Sequence, residues 1–168
     1  MAHRRGLSPN RPVVVTFTAR LLVHGSARGV FAVLTDWPRQ TAWVPATVVE
    51  RRGGPVGEVG ERFAGVSRLG PFVLDDAMTV VGRRAPEVGR AGVVEIVKTG
   101  DVLGGTVSIA VRSAAGTGVQ VEWTENIVVR PLALRVLARL GGPVPAWVGR
   151  LAFEAVLRAA RPELEGRG

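Results

Sequence analysis

The alternation of hydrophobic and polar positions predicts a chain built mainly of strands. Between Val13 and Val23 every second residue is apolar, and these residues share one face, which is typical of a strand with one buried side. Six further alternating segments follow, and clusters of Gly and Pro separate most of them. The seven predicted strands are Val13–Val23, Thr47–Arg52, Gly60–Arg68, Phe72–Val81, Gly92–Lys98, Leu103–Arg112 and Val119–Val129. Short turns between consecutive strands indicate an antiparallel meander.

The segment Ser26–Pro45, SARGVFAVLTDWPRQTAWVP, interrupts this pattern after the first strand. Ser26 can cap a short helix, because its hydroxyl accepts a hydrogen bond from a free N–H of the first turn. Val30, Phe31 and Leu34 then share one helical face. Pro38 fits the first turn of a second short helix and cannot continue the previous one. The order of one strand, two short helices and six strands is distinctive.

After Pro131 the periodicity becomes helical. One helix over 132–140 is broken by Gly141-Gly142-Pro143, and this region is either a gate beside a cavity or a kinked connection. A last helix begins at Pro145 and ends before Pro162. Its apolar stripe is expected to pack on the concave face of the sheet. The stripe consists of Trp147, Val148, Leu151, Ala152, Ala155, Val156 and Ala159.

The length of 168 residues predicts one domain over 13–162, with tails at 1–12 and 163–168. The first tail has basic residues but no apolar stretch, so neither a secretion signal nor a membrane span is expected there. Cysteine is absent, which excludes disulfides and thiolate catalysis and fits a reducing compartment. We therefore expect a cytoplasmic protein.

The net charge of +8 raises the question of an anionic partner. The arginines are scattered singly or in pairs, tyrosine is absent, and no basic-aromatic run resembles a nucleic-acid motif. No specific nucleic-acid partner is therefore expected, and at most weak contact with a membrane surface. The pattern makes no prediction about the oligomeric state.

Two acidic residues, Asp76 and Glu125, are the candidates for chemistry. Each falls in phase with apolar neighbours on its strand, which predicts a carboxyl group facing the interior. A buried carboxylate is costly unless it is paired or protonated, and two such groups can serve as general acid and base on a ketone or an epoxide. The alternatives are polar groups that line a cavity without chemistry, a structural pair with arginine, or a strand slip that turns both toward water.

Several large apolar side chains are candidates for lining a pocket, with ordinary core packing as the alternative. Phe153 is assigned to core packing, because it lies off the predicted helical stripe. The ligand-binding candidates are Trp43, Phe63, Phe72, Met78, Trp123, Trp147 and Leu151. No His and acid cluster has metal-ligand spacing and no Gly-rich loop has a phosphate-binding pattern, so neither a metal nor a cofactor is predicted.

Four segments together resemble the START-like, Bet v 1-like superfamily (SRPBCC), and within it the polyketide cyclase/dehydrase and lipid-transport group. They are Ser26–Pro45 with its Asp-Trp-Pro, Val56–Phe63 with the pattern G-x-x-G-x-x-F, Val119–Glu125 with V-x-W, and the last helix. The resemblance covers about residues 13–160. It implies an α+β helix-grip fold, in which a curved seven-stranded antiparallel sheet wraps around the C-terminal helix and encloses an apolar cavity.

The resemblance implies binding of a small hydrophobic ligand, such as a lipid, a polyketide or an isoprenoid, for sequestration or transport. One alternative is a polyketide cyclase/dehydratase that uses Asp76 and Glu125 as acid and base. Another is a basic START-like protein associated with a membrane surface or RNA. Whether the protein is an enzyme stays open from the sequence.

Overall fold

The computed structural model describes residues 13–130 and 144–166, and its backbone follows the predicted order of elements. The helix expected over 132–140, the proposed gate and the N-terminal tail lie outside the described residues. The elements are β1 Val13–His24, α1 Ala27–Leu34, a 3-10 helix Trp37–Ala42, β2 Thr47–Gly53, β3 Arg62–Leu69, β4 Phe72–Arg84, β5 Gly92–Thr99, β6 Leu103–Ser113, β7 Gly118–Val129 and α2 Val144–Glu165.

The seven strands form one antiparallel sheet in the order β1-β7-β6-β5-β4-β3-β2. Strands β2 to β7 are neighbours in chain order, so short connections suffice, and β1 pairs with β7 along its whole length. The register shifts between Arg51 and Gly53 in β2 and between Val80 and Gly82 in β4. Such irregularities increase the local bend and twist of a sheet. The sheet is curved, and its concave side faces α2.

The insertion between β1 and β2 forms as its residues predict. Ser26 caps α1, with its Oγ accepting a hydrogen bond from the Gly29 N–H at 3.1 Å. Pro38 lies in the first turn of the 3-10 helix, where its missing N–H leaves no bond unmade. Trp37 is completely buried and its ring stacks on Phe63 of β3, with ring centroids 4.1 Å apart. This stacking fixes the 3-10 helix against one end of the sheet.

The C-terminal helix α2 lies over the sheet, but with a different face from the one predicted. Leu157, Ala160 and Leu164 are fully buried, whereas Trp147 is 58% and Leu151 39% exposed. The buried face is rotated from the predicted stripe by about one residue, or about 100° around the helix axis. Both faces are apolar, and the observed face is the one whose Phe153 ring packs against Phe17 and Trp123 of the sheet.

The end of α2 also differs from the prediction, since the helix passes through Pro162 to Glu165. Tertiary contacts hold this last turn. The Glu163 carboxylate accepts a hydrogen bond from Trp43 Nε1 at 3.3 Å, and Glu165 accepts one from the His24 N–H at 3.3 Å. With Leu164 buried beneath it, the turn joins α2 both to β1 and to the segment that follows the 3-10 helix.

Candidate functional site

A cavity of about 230 Å³ lies between the concave face of the sheet, the 3-10 helix region and α2. Its wall is mostly apolar and is built by residues from strands β2 to β7. The lining residues are Leu34, Trp37, Gln40, Trp43, Val44, Thr47, Val49, Phe63, Gly65, Ser67, Leu74, Asp76, Met78, Ile96, Lys98, Leu103, Val107, Trp123, Glu125, Ile127, Phe153, Val156 and Leu157.

Three charged residues lie together in this wall, namely Asp76, Lys98 and Glu125. The Lys98 ammonium donates to Asp76 Oδ2 at 2.5 Å, and its Nζ lies 3.4 Å from Glu125 Oε2. Lys98 and Glu125 are almost completely buried, and the Asp76 side chain is largely so. One buried cation therefore faces two carboxyl groups. We call Asp76, Lys98 and Glu125 the cavity triad.

The sheet register brings the triad together from three strands. Lys98 of β5 is opposite Met78 of β4, so Asp76 is its diagonal neighbour on that strand. Glu125 is two strands away from Lys98, across β6. On β6 the residue opposite Lys98 is Gly105, which carries no side chain. Glycine is also required there, because at φ +117° a Cβ atom would lie only 1.8 Å from the Asn126 carbonyl oxygen.

Glu125 is held by a second contact within its own strand. The indole Nε1 of Trp123 donates to Glu125 Oε1 at 2.9 Å, so each carboxyl oxygen of Glu125 faces a donor group. The Trp123 ring in turn contacts Phe153 of α2, with centroids 5.3 Å apart. The helix thus packs directly on the side chain that orients the carboxyl group.

Burial and charge act in opposite directions on the triad. Burial raises the pKa of the Glu125 carboxyl above its ordinary value, against the opposing attraction of Lys98 and the hydrogen bond from Trp123. Burial alone would lower the pKa of Lys98, but the charges of Glu125 and Asp76 outweigh it and raise that pKa. Lys98 is therefore an ammonium at neutral pH, and not a nucleophilic amine.

One oxygen of the triad lacks a hydrogen-bond partner among the described residues. Asp76 Oδ1 is buried and accepts no hydrogen bond, although Oδ2 of the same group is bound to Lys98. Buried acceptors in proteins are usually paired, and an unpaired one costs about 1–3 kcal/mol. This oxygen belongs to a residue that lines the cavity. The indole Nε1 of Trp37, which also lines the cavity, is likewise buried without a partner among the described residues.

The structure places four of the seven predicted ligand-binding residues in the cavity wall. These are Trp43, Phe63, Met78 and Trp123, and they are joined there by the two predicted acids. Phe72 lies at the start of β4, and its side chain is outside the described part of the structure. Trp147 and Leu151 do not line the cavity, because α2 turns them toward its exposed face.

Sequence reasoning missed Lys98 and assigned Phe153 to packing only. Phe153 lines the cavity and contacts both Phe17 and Trp123, because α2 is rotated from the predicted orientation. The signal for Lys98 is present in the sequence. It is the only lysine in a chain with 22 Lys and Arg residues, and it continues the buried phase of Gly92, Val94 and Ile96 along β5.

Two further observations bear on the expected partners. In the ranges 13–130 and 144–166, no three His, Asp or Glu side chains are grouped in a way that could hold a metal ion. No helix within those ranges is both long and apolar enough to span a bilayer.

Comparison with solved structures finds proteins of the same architecture at low sequence identity. A START superfamily protein from Mycobacterium smegmatis superposes with a TM-score of 0.65 at 10% identity, covering 89% of this chain and 96% of its own. The di-domain aromatase/cyclase StfQ of the steffimycin biosynthetic pathway gives 0.65 at 18% identity, over 92% of this chain and 51% of its own.

A third neighbour is norcoclaurine synthase from Thalictrum flavum in complex with dopamine and hydroxybenzaldehyde, with a TM-score of 0.52 at 16% identity. The match covers 90% of this chain and 92% of the synthase. No family model matches the sequence, and no curated protein matches it. At these identities the likeness concerns the fold.

Proposed function

We propose that this chain, which has the START-like helix-grip fold expected from its sequence, binds a small and mostly apolar molecule in the cavity under α2. The observation that carries the proposal is the composition of the wall, in which a mostly apolar surface contains one compact charged cluster. Ligand sites of this kind use apolar contact for affinity and a few placed polar groups for orientation. The ligand's polar end would lie at the cavity triad.

The cavity volume narrows the class of ligand. At about 230 Å³ it is somewhat larger than a cavity of about 150 Å³ that holds benzene, and below the usual range for drug-sized ligands. This favours a compact aromatic or isoprenoid molecule over a lipid with two acyl chains. Two neighbours of the same fold, an aromatase/cyclase and norcoclaurine synthase, support a ligand with aromatic rings. Sequestration or transport is the simplest role for such a site.

The proposal is tested by native mass spectrometry and solvent extraction of the purified protein, followed by calorimetric titration with naphthalene. We expect either a co-purifying small molecule or binding of naphthalene. Phe153→Trp is the companion variant, because a larger ring at this lining position fills the cavity and should weaken binding while the fold is retained. Absence of any ligand, together with no heat of binding, would overturn the proposal.

A second candidate function is acid–base catalysis, favoured by the unpaired Asp76 Oδ1 beside the buried Glu125 carboxyl. In a dehydration, Asp76 would take a proton from the carbon next to a ketone while Glu125 gives one to the departing hydroxyl, and water would leave. Burial raises the pKa of Glu125, which is the direction that a general acid requires.

The enzymatic candidate is tested with nitrobenzisoxazole, a compact bicyclic substrate whose ring opens with a change in absorbance when a base removes its C–H proton. A base in the cavity should accelerate this reaction above the same concentration of acetate, and Asp76→Asn should remove the acceleration. Equal rates for the protein, the variant and acetate would leave the binding proposal in place and exclude Asp76 as a working base.

A further inference from the structure

The cavity triad also restricts the chemistry of the ligand, in an argument that rests on the proposed binding function. We infer that the site selects a neutral hydroxyl compound, an alcohol or a phenol, over a carboxylic acid of the same shape. The hydroxyl donates its hydrogen to Asp76 Oδ1. Two features of the wall produce this selectivity, namely the unpaired acceptor and the balance of charges around it.

The first feature is the acceptor. Asp76 binds Lys98 through Oδ2 only, and its Oδ1 is buried with no donor among the described residues. A ligand hydroxyl would restore the missing hydrogen bond, whereas a ligand ether or ketone has no hydrogen to donate. Gly65 is opposite Asp76 in the β3–β4 ladder and lines the cavity without a side chain. The space beside Asp76 is therefore not taken by a neighbouring strand residue.

The second feature is the charge balance. Asp76, Lys98 and Glu125 are the charged residues among those that line the cavity in the described part of the chain. The single ammonium is already engaged by two carboxyl groups, at 2.5 and 3.4 Å. A carboxylate ligand would enter an apolar space, face two carboxyl groups and find no unengaged cation. An uncompensated charge in such a place is strongly disfavoured.

The test uses four matched probes, which are naphthalene, naphthol, methoxynaphthalene and naphthoate with substituents at the same ring position. Their affinities are measured by isothermal titration calorimetry at neutral pH. We expect naphthol to bind about tenfold or more tightly than naphthalene and methoxynaphthalene, as is typical of one hydrogen bond to a charged group. Naphthoate should bind at least about tenfold more weakly than naphthalene.

Asp76→Asn is the informative variant, and Asp75→Asn is its matched control. In Asp76→Asn the new amide oxygen accepts the hydrogen bond from the Lys98 ammonium. The amide NH₂ then faces the cavity, where it donates a hydrogen bond and cannot accept one. The preference for naphthol over methoxynaphthalene should fall to within about threefold, and naphthoate should gain about tenfold. Asp75 is the adjacent residue on β4, but its side chain is exposed and pairs with Arg52, so its amide variant should keep the wild-type ranking.

The outcomes separate this inference from the proposed function. If naphthalene and naphthol both fail to bind, the binding function itself is refuted. Two other outcomes would confirm the cavity and refute the inferred preference for a hydroxyl compound. In the first, naphthalene binds and the other three probes bind equally well. In the second, naphthalene binds and naphthoate binds best. The affinity for naphthalene also reports whether Asp76→Asn keeps its cavity. If that variant does not fold, the order of the four probe affinities on the wild-type protein still decides whether the site prefers a hydroxyl compound.

Discussion

Replacing Lys98 by methionine removes the cation of the cavity triad while keeping a side chain of similar length. The ammonium lies 2.5 Å from Asp76 Oδ2 and 3.4 Å from Glu125 Oε2, and it is almost completely buried. The variant would leave two carboxyl groups facing one another in an apolar wall. We expect Lys98→Met to be strongly destabilised at neutral pH and to recover when the solution is acidified.

The magnitude follows from these separations. At an effective dielectric constant of about 20, unit charges 2.5 and 3.4 Å apart attract each other by about 7 and about 5 kcal/mol. Desolvation of the buried ions offsets much of this attraction. Removing one partner of a buried pair typically costs about 3–5 kcal/mol, because the remaining charge is uncompensated. That range is the expected loss in free energy of unfolding for Lys98→Met.

The dependence on pH has a definite sign. Burial raises the pKa of Glu125 in the folded state, so its contribution to stability is present below the ordinary glutamate pKa and is lost as the pH rises through the raised value. Without Lys98 the attraction that opposes this shift is lost, and the pKa of Glu125 rises further. The stability difference between wild type and Lys98→Met should therefore shrink as the pH falls from neutral toward the ordinary glutamate pKa.

The assay is urea unfolding followed by tryptophan fluorescence and circular dichroism across that pH range. Arg20→Met serves as the control, since it breaks an exposed ion pair with Glu122 that is expected to contribute about 0–1 kcal/mol. A loss for Lys98→Met no larger than that of Arg20→Met, with no recovery in acid, would refute the electrostatic account of the triad.

Three further predictions concern the scaffold and are checked by the same unfolding assay. Ser26→Ala should cost about 1 kcal/mol through loss of the α1 cap, and an unchanged stability would show that the hydroxyl does not cap the helix. Phe63→Ala should cost about 3–5 kcal/mol, because the ring is buried and stacked on Trp37, and a loss below 1 kcal/mol would contradict that packing. Phe153→Ala should lower the free energy of unfolding by about 1–3 kcal/mol and weaken naphthalene binding. Trp147→Ala should change that free energy by less than about 0.5 kcal/mol, because Trp147 is exposed. Equal effects of the two variants would mean that α2 buries a different face.

The sheet was accessible to sequence reasoning because its signals are local. Each predicted strand begins within about two residues of an observed one, since alternation and turn residues are both read from neighbouring positions. Alternation also placed Asp76 and Glu125 on the inner face, where both line the cavity. One strand phase is enough to determine on which side of the sheet a residue lies.

The orientation of α2 and the partner of the acids were not accessible in the same way. The helix carries two apolar faces, and only contacts with Phe17 and Trp123, which are distant in sequence, decide that Phe153 points inward. The triad depends on the register of four strands. Such long-range registers are not encoded in the pattern of any single strand.

A crystal structure of the protein grown with naphthol tests the central claim most directly. The account predicts electron density for the probe between the sheet and α2, with its hydroxyl oxygen within hydrogen-bond distance of Asp76 Oδ1. It also predicts that the contact between Lys98 and Asp76 Oδ2 is retained. A cavity filled by the protein's own side chains, or a probe bound elsewhere on the surface, would contradict the account.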